Sequence, residues 1–291
     1  MSQSRISITT VCTPWLTLEE LLPKLKAAGY GSVEIALTER KWNPNEEPNP
    51  WKNNGATIDW SASDDELAAL RAQIDELGLE VSCIGSYVGT DDIDRIARSV
   101  EVARALGSEF IRVRVPWYKP GTHYRTELEN ARACFRDLAL ISQETGVDSL
   151  IEIHDNSICC SASGAMRVLE GLDPSLVGVI YDPGNFLNEG LESIPMTIDI
   201  LGDYLRHVHI KDATVARAEE FNKHGVRLSS SRCTLGEGDL DWGLIMKLLG
   251  ERGYDGYFSI ENFAPTDDPE GRLATDATWL SQLLAATTQP S

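Results

Sequence analysis

The sequence predicts one (β/α)₈ barrel, on three observations. Short runs rich in β-branched residues alternate with longer amphipathic stretches along the 291 residues, a pattern typical of parallel strands joined by helices. Eight such runs occur, the number that closes a barrel of this size. After the first run, Val11–Trp15 (VCTPW) lacks the glycine-rich turn of a doubly wound nucleotide-binding sheet. We therefore expect a single barrel domain over residues 1–291.

The elements follow one another in a regular order. The first strand is expected at Arg5–Val11, and a capping box from Thr17 to Glu20 then begins a helix that ends at Gly29. The other strands are predicted at Ser32–Leu37, Leu79–Ile84, Phe110–Val115, Ser149–His154, Val177–Tyr181, Leu205–Ile210 and Gly256–Glu261. Between them, helices are predicted at Ser63–Leu77, up to Gly107, up to Gly146, at Ala165–Leu172 and at Trp242–Arg252.

Two connections are much longer than the others. Residues Thr38–Trp60 follow the second strand, and residues Ala213–Asp241 follow the seventh. Long loops on a barrel usually carry function, so we expect both to cover the active face.

Composition excludes several classes of partner. The chain has 45 acidic residues against 26 Lys and Arg, for a formal net charge of −19, which argues against nucleic acid and anionic membrane surfaces. A small anionic substrate stays open, because a pocket can be locally positive in an acidic protein. With no secretory signal, no apolar run of about 20 residues and six scattered cysteines, we expect a cytoplasmic protein with free thiols.

Four consecutive predicted strands end in side chains that can bind a metal ion. Barrel enzymes carry their chemistry at the carboxyl ends of the strands, and these ends offer Glu152, Asp182, His209 and Glu261. Three carboxylates and one imidazole make a hard site that suits Mn²⁺, Mg²⁺ or Co²⁺, with Zn²⁺ less favoured. Three buried negative charges would be strongly unfavourable without a cation. We therefore predict one divalent metal ion, with Mn²⁺ as the first choice.

Five further side chains near these strand ends are candidates for substrate binding: Arg114, His154, Asn185, Lys211 and Arg232. Alternation along a strand places His154 on the face of Glu152 and Lys211 on the face of His209. His154 suits substrate hydroxyls or proton shuttling, while Lys211 suits either developing negative charge or a carboxylate.

Inward-facing arginines on the fourth strand need acidic partners. Alternation along the strand places both Arg112 and Arg114 on its inward face. Glu34 and Glu152 are the candidate carboxylates for them. Arg114 lies nearer the strand end, where it would orient Glu152 or touch substrate. Arg232, in the long loop after the seventh strand, suits a phosphate or carboxylate, and the alternative is a solvated arginine on that loop. Trp15, Tyr87 and Trp117 are candidates for an aromatic wall or for packing in the core or the loops.

Several motifs together resemble a known superfamily. They are E-x-H at Glu152, D-P-G-N at Asp182, H-V-H-I-K-D at His207, L-G-E-G-D-x-D-W at Leu235 and G-Y-F-S-I-E at Gly256. The chain thereby resembles the xylose isomerase-like TIM barrels, and within them the sugar phosphate isomerase/epimerase family. That family includes ketose 3-epimerases, hydroxypyruvate isomerase, inosose isomerases and dehydratases, and the related endonuclease IV.

The resemblance implies a function and roles. Glu152, Asp182, His209 and Glu261 would bind one divalent metal, and Glu152 and Glu261 would also act as acid and base. The expected enzyme is an isomerase or epimerase of a keto-sugar, inosose or related polyol ketone, working by α-proton abstraction and a metal-stabilised enediolate. The alternatives are a dehydratase of the inosose or 3-dehydroshikimate type and a non-catalytic sugar-binding barrel. The expected partner is a small sugar or polyol, and a homo-oligomer stays open.

Two positions depart from the ketose 3-epimerases of this family. Asn185 stands where they place a substrate-contacting histidine, and Ile158 stands where they carry a glutamate. Both departures argue against a ketose 3-epimerase in the narrow sense. Endonuclease IV uses a metal cluster rich in extra histidines, and the five histidines and strong negative charge of this chain argue against that activity.

Overall fold

Eight parallel strands with helices between them form a barrel in the computed structural model, which describes residues 5–187, 192–217 and 228–287. In chain order the strands are β1 (Ile6–Ile8), β2 (Ser32–Thr38), β3 (Thr57–Asp59), β4 (Glu80–Ser86), β5 (Phe110–Arg112), β6 (Asp148–Glu152), β7 (Val177–Tyr181), β8 (Leu205–Ile210), β9 (Ala213–Arg217), β10 (Leu228–Arg232) and β11 (Tyr257–Ile260). The helices are α1 (Leu18–Ala28), α2 (Asp64–Glu76), α3 (Ile93–Leu106), α4 (Tyr124–Thr145), α5 (Ala162–Leu169), α6 (Pro183–Phe186), α7 (Ile194–Leu201), α8 (Trp242–Glu251) and α9 (Pro269–Thr287).

The strand order confirms the predicted barrel. Along the sheet the order is β1-β11-β8-β7-β6-β5-β4-β2-β3, and every neighbouring pair is parallel. Strand β3 extends β2 on one side, and a parallel bridge from Thr9, just after β1, to Glu34 in β2 closes the eight barrel strands. The Ala36 N–H also donates to Thr10 Oγ1 at 2.9 Å. Because all the barrel strands run the same way, their carboxyl ends meet at one face.

Local sequence signals set several element boundaries as predicted. Thr17 Oγ1 accepts the Glu20 N–H, and Glu20 Oε2 accepts the Thr17 N–H at 2.9 Å, so the expected capping box begins α1. Gly29 ends that helix with φ 96°, a left-handed conformation that favours glycine. The first strand is shorter than predicted, because Thr10–Cys12 turns into a 3₁₀ helix.

The two long connections contain strands that the sequence pattern did not predict. Strand β3 adds to the end of β2, in register from Ala36–Thr57 to Thr38–Asp59. Strands β9 and β10 form an antiparallel hairpin after β8, with Arg232 opposite Ala213. Helix α9 follows β11 and packs its buried Leu273, Leu280 and Leu284 on the barrel. Within the described segments, no helix combines the length and apolarity needed to cross a membrane.

Candidate metal centre and active site

Four side chains from neighbouring strands converge at the carboxyl face of the barrel. Glu152 ends β6, Asp182 follows β7, His209 lies in β8 and Glu261 follows β11. One oxygen or nitrogen atom from each lies within 4.8 Å of the equivalent atoms of the other three. All four side chains are buried. The barrel register thus creates a compact cluster of three carboxylates and one imidazole.

The imidazole of His209 is oriented by Glu34 on β2. His209 Nε2 lies 3.0 Å from Glu34 Oε2, and His207 Nε2 lies 3.1 Å from the same oxygen. In the neutral imidazole, donation of the Nε2 proton to Glu34 leaves the lone pair of His209 on Nδ1. That Nδ1 is buried and makes no hydrogen bond, although it lies 3.3 Å from Glu152 Oε1 and 3.7 Å from Asp182 Oδ2. A lone pair directed at carboxylate oxygens fits a bound divalent cation.

The charges of Glu34 and His209 shift each other's pKa strongly. Burial would raise the pKa of Glu34, but the neighbouring His209 and His207 hold that pKa well below its ordinary value. Burial would lower the pKa of His209, but Glu34 and the cluster carboxylates raise that pKa well above its ordinary value. A metal ion at Nδ1 therefore has to displace a proton from this imidazole.

A buried arginine holds Glu152 in place. Arg112 Nη1 lies 2.6 Å from Glu152 Oε2, and the Arg112 guanidinium stacks 4.0 Å from the centre of the Tyr87 ring. Burial would raise the pKa of Glu152, but Arg112 and His209 bring that pKa well below its ordinary value. Of the two carboxylates expected to pair with inward arginines, Glu152 does so, whereas Glu34 pairs with histidines.

Asn185 and Lys211 both hold carboxylates of the cluster. Lys211 Nζ lies 2.7 Å from Asp182 Oδ2, 2.6 Å from Glu261 Oε2 and 3.0 Å from Asn185 Oδ1. Asn185 Nδ2 donates to Asp182 Oδ2 at 2.9 Å and to Glu152 Oε1 at 3.3 Å. Burial would lower the pKa of Lys211, but the charges of Asp182 and Glu261 outweigh burial and raise that pKa above its ordinary value. The ammonium group therefore stays charged. Of the two alternatives for Lys211, the structure shows the contact with carboxylates.

A cavity of about 410 Å³ lies directly over the cluster, a volume that suits a small-molecule ligand. Its polar wall includes Glu152, Glu261, Asn185, Lys211, His154, Arg114 and Arg232. Its aromatic wall is formed by Trp51, Tyr87, Trp117 and Phe263, with the Trp51 and Tyr87 rings edge to face at 4.9 Å. All five residues predicted to bind substrate therefore line one cavity.

The three substrate candidates outside the cluster contact aromatic rings. His154 meets Trp117 edge to face at 4.8 Å, and its Nδ1 lies 2.8 Å from Asp155 Oδ1. Burial would lower the pKa of His154, but Asp155 and Glu152 raise it above its ordinary value. Arg114 lies 5.6 Å from the Trp117 ring centre, and Arg232 lies 4.6 Å from the Phe263 ring centre.

Sequence reasoning missed three contributors to the site, Glu34 as the partner of the histidines and Trp51 and Phe263 in the cavity wall. Glu34 was not paired with histidines, although a lone acid in the apolar strand SVEIAL was a usable signal. Trp51 and Phe263 line the cavity from a long loop and from beyond a strand end, where periodicity gives no orientation. Of the two alternatives for Trp15, the structure shows packing on the core, with Arg272 beside its ring.

The fold and the site define the class of protein. The family model of the xylose isomerase-like TIM barrels matches residues 22–283. The chain therefore belongs to the xylose isomerase-like TIM-barrel family.

Curated relatives match only part of the chain. An inosose dehydratase of Clostridium perfringens is 25% identical over 133 residues, which is 43% of this chain and 43% of that enzyme. An inosose dehydratase of Geobacillus kaustophilus is 27% identical over 128 residues. The matched part spans less than half the length of these relatives.

Solved structures match almost the whole chain. The IolI protein with a bound zinc atom superposes with a TM-score of 0.74, at 15% identity over 98% of this chain and 100% of the other. A 3-keto-D-glucoside 4-epimerase from E. coli gives 0.72, at 18% identity over 96% and 99%. A Mycobacterium smegmatis barrel in complex with magnesium gives 0.67, at 16% identity over 99% and 100%. At these identities the likeness shows the fold.

Proposed function

We propose that the protein is a divalent-metal-dependent enzyme that removes the proton next to the ketone of a sugar, an inosose or a related polyol, and returns it as an isomerase or epimerase. The observation that carries the proposal is the buried cluster of Glu152, Asp182, His209 and Glu261 beneath a cavity of ligand size. The contact between Glu34 and His209 supports the proposal, because it leaves the Nδ1 of His209 without a hydrogen bond and facing the carboxylates of the cluster.

The metal ligands are assigned to these same four residues. Oxygen-rich sites of this kind suit Mn²⁺, with Mg²⁺, Co²⁺ and Zn²⁺ as further candidates, and structural neighbours hold zinc or magnesium. When bound, such an ion would supply Lewis-acid polarisation of the substrate's carbonyl group.

Glu152 and Glu261 are assigned as the acid–base pair. They approach the cavity from β6 and from the end of β11, so they reach a bound ketone from different sides. Arg112 holds Glu152 in its ionised form beside the cavity. Lys211 contacts Glu261 and adds positive charge where negative charge develops on the substrate.

The remaining cavity residues bind and shield the substrate. His154 and Asn185 present polar atoms to sugar hydroxyls, while Trp51, Tyr87 and Phe263 exclude water from the apolar side of the cavity. A dry cavity strengthens the electrostatic effect of each charged group.

A dehydratase is the second candidate, favoured by the curated relatives, which are inosose dehydratases. The same proton abstraction would be followed by loss of a hydroxyl group from the next carbon, releasing water. Both reactions use one site and differ in the fate of the carbanion.

Proton exchange tests the proposal. The Mn²⁺-loaded protein is incubated with a panel of ketoses and inososes in D₂O and followed by NMR, while ultraviolet absorbance follows any unsaturated product. Deuterium at the α-carbon without water loss supports isomerase or epimerase action, and an unsaturated product supports the dehydratase. Sugar binding without any exchange across the panel would instead indicate a non-catalytic binding barrel and overturn the proposal.

A pair of variants tests the assigned base. Glu261→Gln keeps the size of the side chain and removes its proton-accepting charge, so exchange should fall by at least about 100-fold. Glu251→Gln, an exposed change on α8, is the control and should leave exchange unchanged. Full activity in Glu261→Gln would refute its role.

A further inference from the structure

Two guanidinium groups in the cavity have no acidic partner within the part of the chain that the structure describes. Arg112 and Lys211 are each within 2.7 Å of cluster carboxylates. Among the described residues, no carboxylate oxygen lies within 4 Å of the Arg114 or Arg232 side chain, although both line the cavity. In a chain of net charge −19, two such unpaired cations at one cavity point to a ligand with negative charge.

Of the two arginines, Arg114 gives the stronger evidence for an anionic ligand. Its backbone is fixed, because its N–H donates to Val88 O at 2.9 Å and its carbonyl accepts from Thr90 N at 3.2 Å. Its side chain is partly buried beside Trp117. Burial and the charge of Arg112 both lower the pKa of Arg114, which Asp91 offsets only from beyond ion-pair distance. A partly buried, unpaired cation is unfavourable, and an anionic ligand removes that penalty.

Arg232 lies at a different part of the same cavity. It ends β10, where pairing with Ala213 fixes its position, and its guanidinium lies over Phe263. Its side chain is exposed, so it reaches the cavity from the solvent side. This position suits a long-range attraction for an incoming anion.

The barrel order gives the direction in which a substrate extends. The metal-ligand candidates lie on the adjacent strands β6, β7, β8 and β11, whereas Arg114 follows β5, four strands from β11 around the barrel. Because β5 is also the neighbour of β6, which carries Glu152, Arg114 borders the cavity beside one end of the cluster, within reach of the far end of a small polyol whose ketone is held there.

We infer that the substrate is a polyol ketone that carries an anionic group, a carboxylate or a phosphate, bound by Arg114 and attracted by Arg232. The inference rests on the proposed function and narrows its substrate class. A guanidinium matches the paired oxygens of either anion.

Calorimetric titration of the Mn²⁺-loaded protein tests this inference. The probes are D-fructose, which is neutral, D-fructose 6-phosphate and 5-keto-D-gluconate. At least one anionic probe should bind about 10-fold or more tightly than fructose, and the tighter of the two identifies the anion. Arg114→Gln should abolish this preference, measured as the ratio of anion affinity to fructose affinity in the same variant, and Arg114→Lys should retain part of it.

Further variants supply the controls. Arg232→Gln should reduce the preference by a smaller factor, because its side chain is exposed. Arg104→Gln, in the last turn of α3 at the opposite end of the barrel, should have no effect. Equal affinity for all three probes, no binding of either anion, or an anion preference that survives Arg114→Gln would each overturn the inference. Proton exchange on neutral ketoses would still support the proposed function in those cases.

Discussion

Glu34→Gln is the sharpest test of how the candidate metal centre is built. Glu34 has no exposed surface, and its Oε2 accepts from both His207 and His209 at 3.1 and 3.0 Å. Glutamine keeps the shape and one carbonyl acceptor but removes the charge. The substitution therefore weakens the group that holds His209 Nδ1 toward the cluster, while the four assigned ligands stay unchanged.

The expected loss of Mn²⁺ affinity follows from the role of hydrogen bonds that hold a metal-binding histidine from behind. Removing the partner of a metal-binding histidine typically costs about 10–100-fold in metal affinity, or about 1.4–2.7 kcal/mol. Glu34 and His209 are both fully buried, so water cannot replace the lost charge. We therefore expect the upper end of that range for Glu34→Gln.

Mn²⁺ titration calorimetry at pH 8.5 measures this effect. Glu34 also raises the pKa of His209, so the variant lowers proton competition, and titrations at a series of pH values up to 8.5 show how far this opposing effect falls as the pH rises. His207→Gln is the matched control: it removes the other partner of Glu34 and should weaken Mn²⁺ binding less. A folded Glu34→Gln protein whose Mn²⁺ dissociation constant lies within twofold of wild type would refute the reasoning.

Three further predictions concern charge and packing. Lys211→Gln removes a positive charge that touches Asp182 and Glu261, so Mn²⁺ should bind at least about 10-fold more tightly in calorimetry; weaker binding would contradict this. Burial raises the pKa of Asp276 to about 6. The protonated carboxyl group therefore stabilises the fold most below about pH 4, and this contribution, at most about 3 kcal/mol, is lost as the pH rises to about 6. Urea unfolding should therefore show Asp276→Asn gaining stability relative to wild type between pH 4 and pH 7, and a constant difference would argue against it. Phe135→Ala, fully buried on α4, should lower the free energy of unfolding by about 3–5 kcal/mol, whereas Leu140→Ala on the same helix, 61% exposed, should change it by at most about 0.5 kcal/mol.

The barrel was predictable because its signals are local and repeated. Val177–Tyr181 and Leu205–Ile210 form strands with the predicted bounds, since buried parallel strands read as continuous apolar runs between turn signals. The capping box at Thr17 fixed the start of α1 in the same way. The hairpin of β9 and β10 escapes the sequence pattern, because β10 reads LSSSR and only Ala213 and Val215 of β9 reach the core, too few apolar positions to mark a strand.

Strand parity predicted the cluster of metal-ligand candidates, but it did not predict that Glu34 contacts His209. Placing Glu152 and His209 at strand ends required only alternation and the common direction of the strands. The contact between Glu34 and His209 spans 175 residues of sequence and depends on which strands close the barrel. Trp51 reaches the cavity from a long loop, whose side-chain directions no periodic pattern sets.

The most direct test of the account is the position of the cation. Crystals grown with saturating Mn²⁺ should show one anomalous peak within about 2.5 Å of oxygens from Glu152, Asp182 and Glu261 and of Nδ1 of His209. The structure also offers a second group of ligand atoms, in Glu34, His207 and His209, on the Nε2 side of the same imidazole. A peak at that second group, or none at the first, would contradict the proposed metal centre.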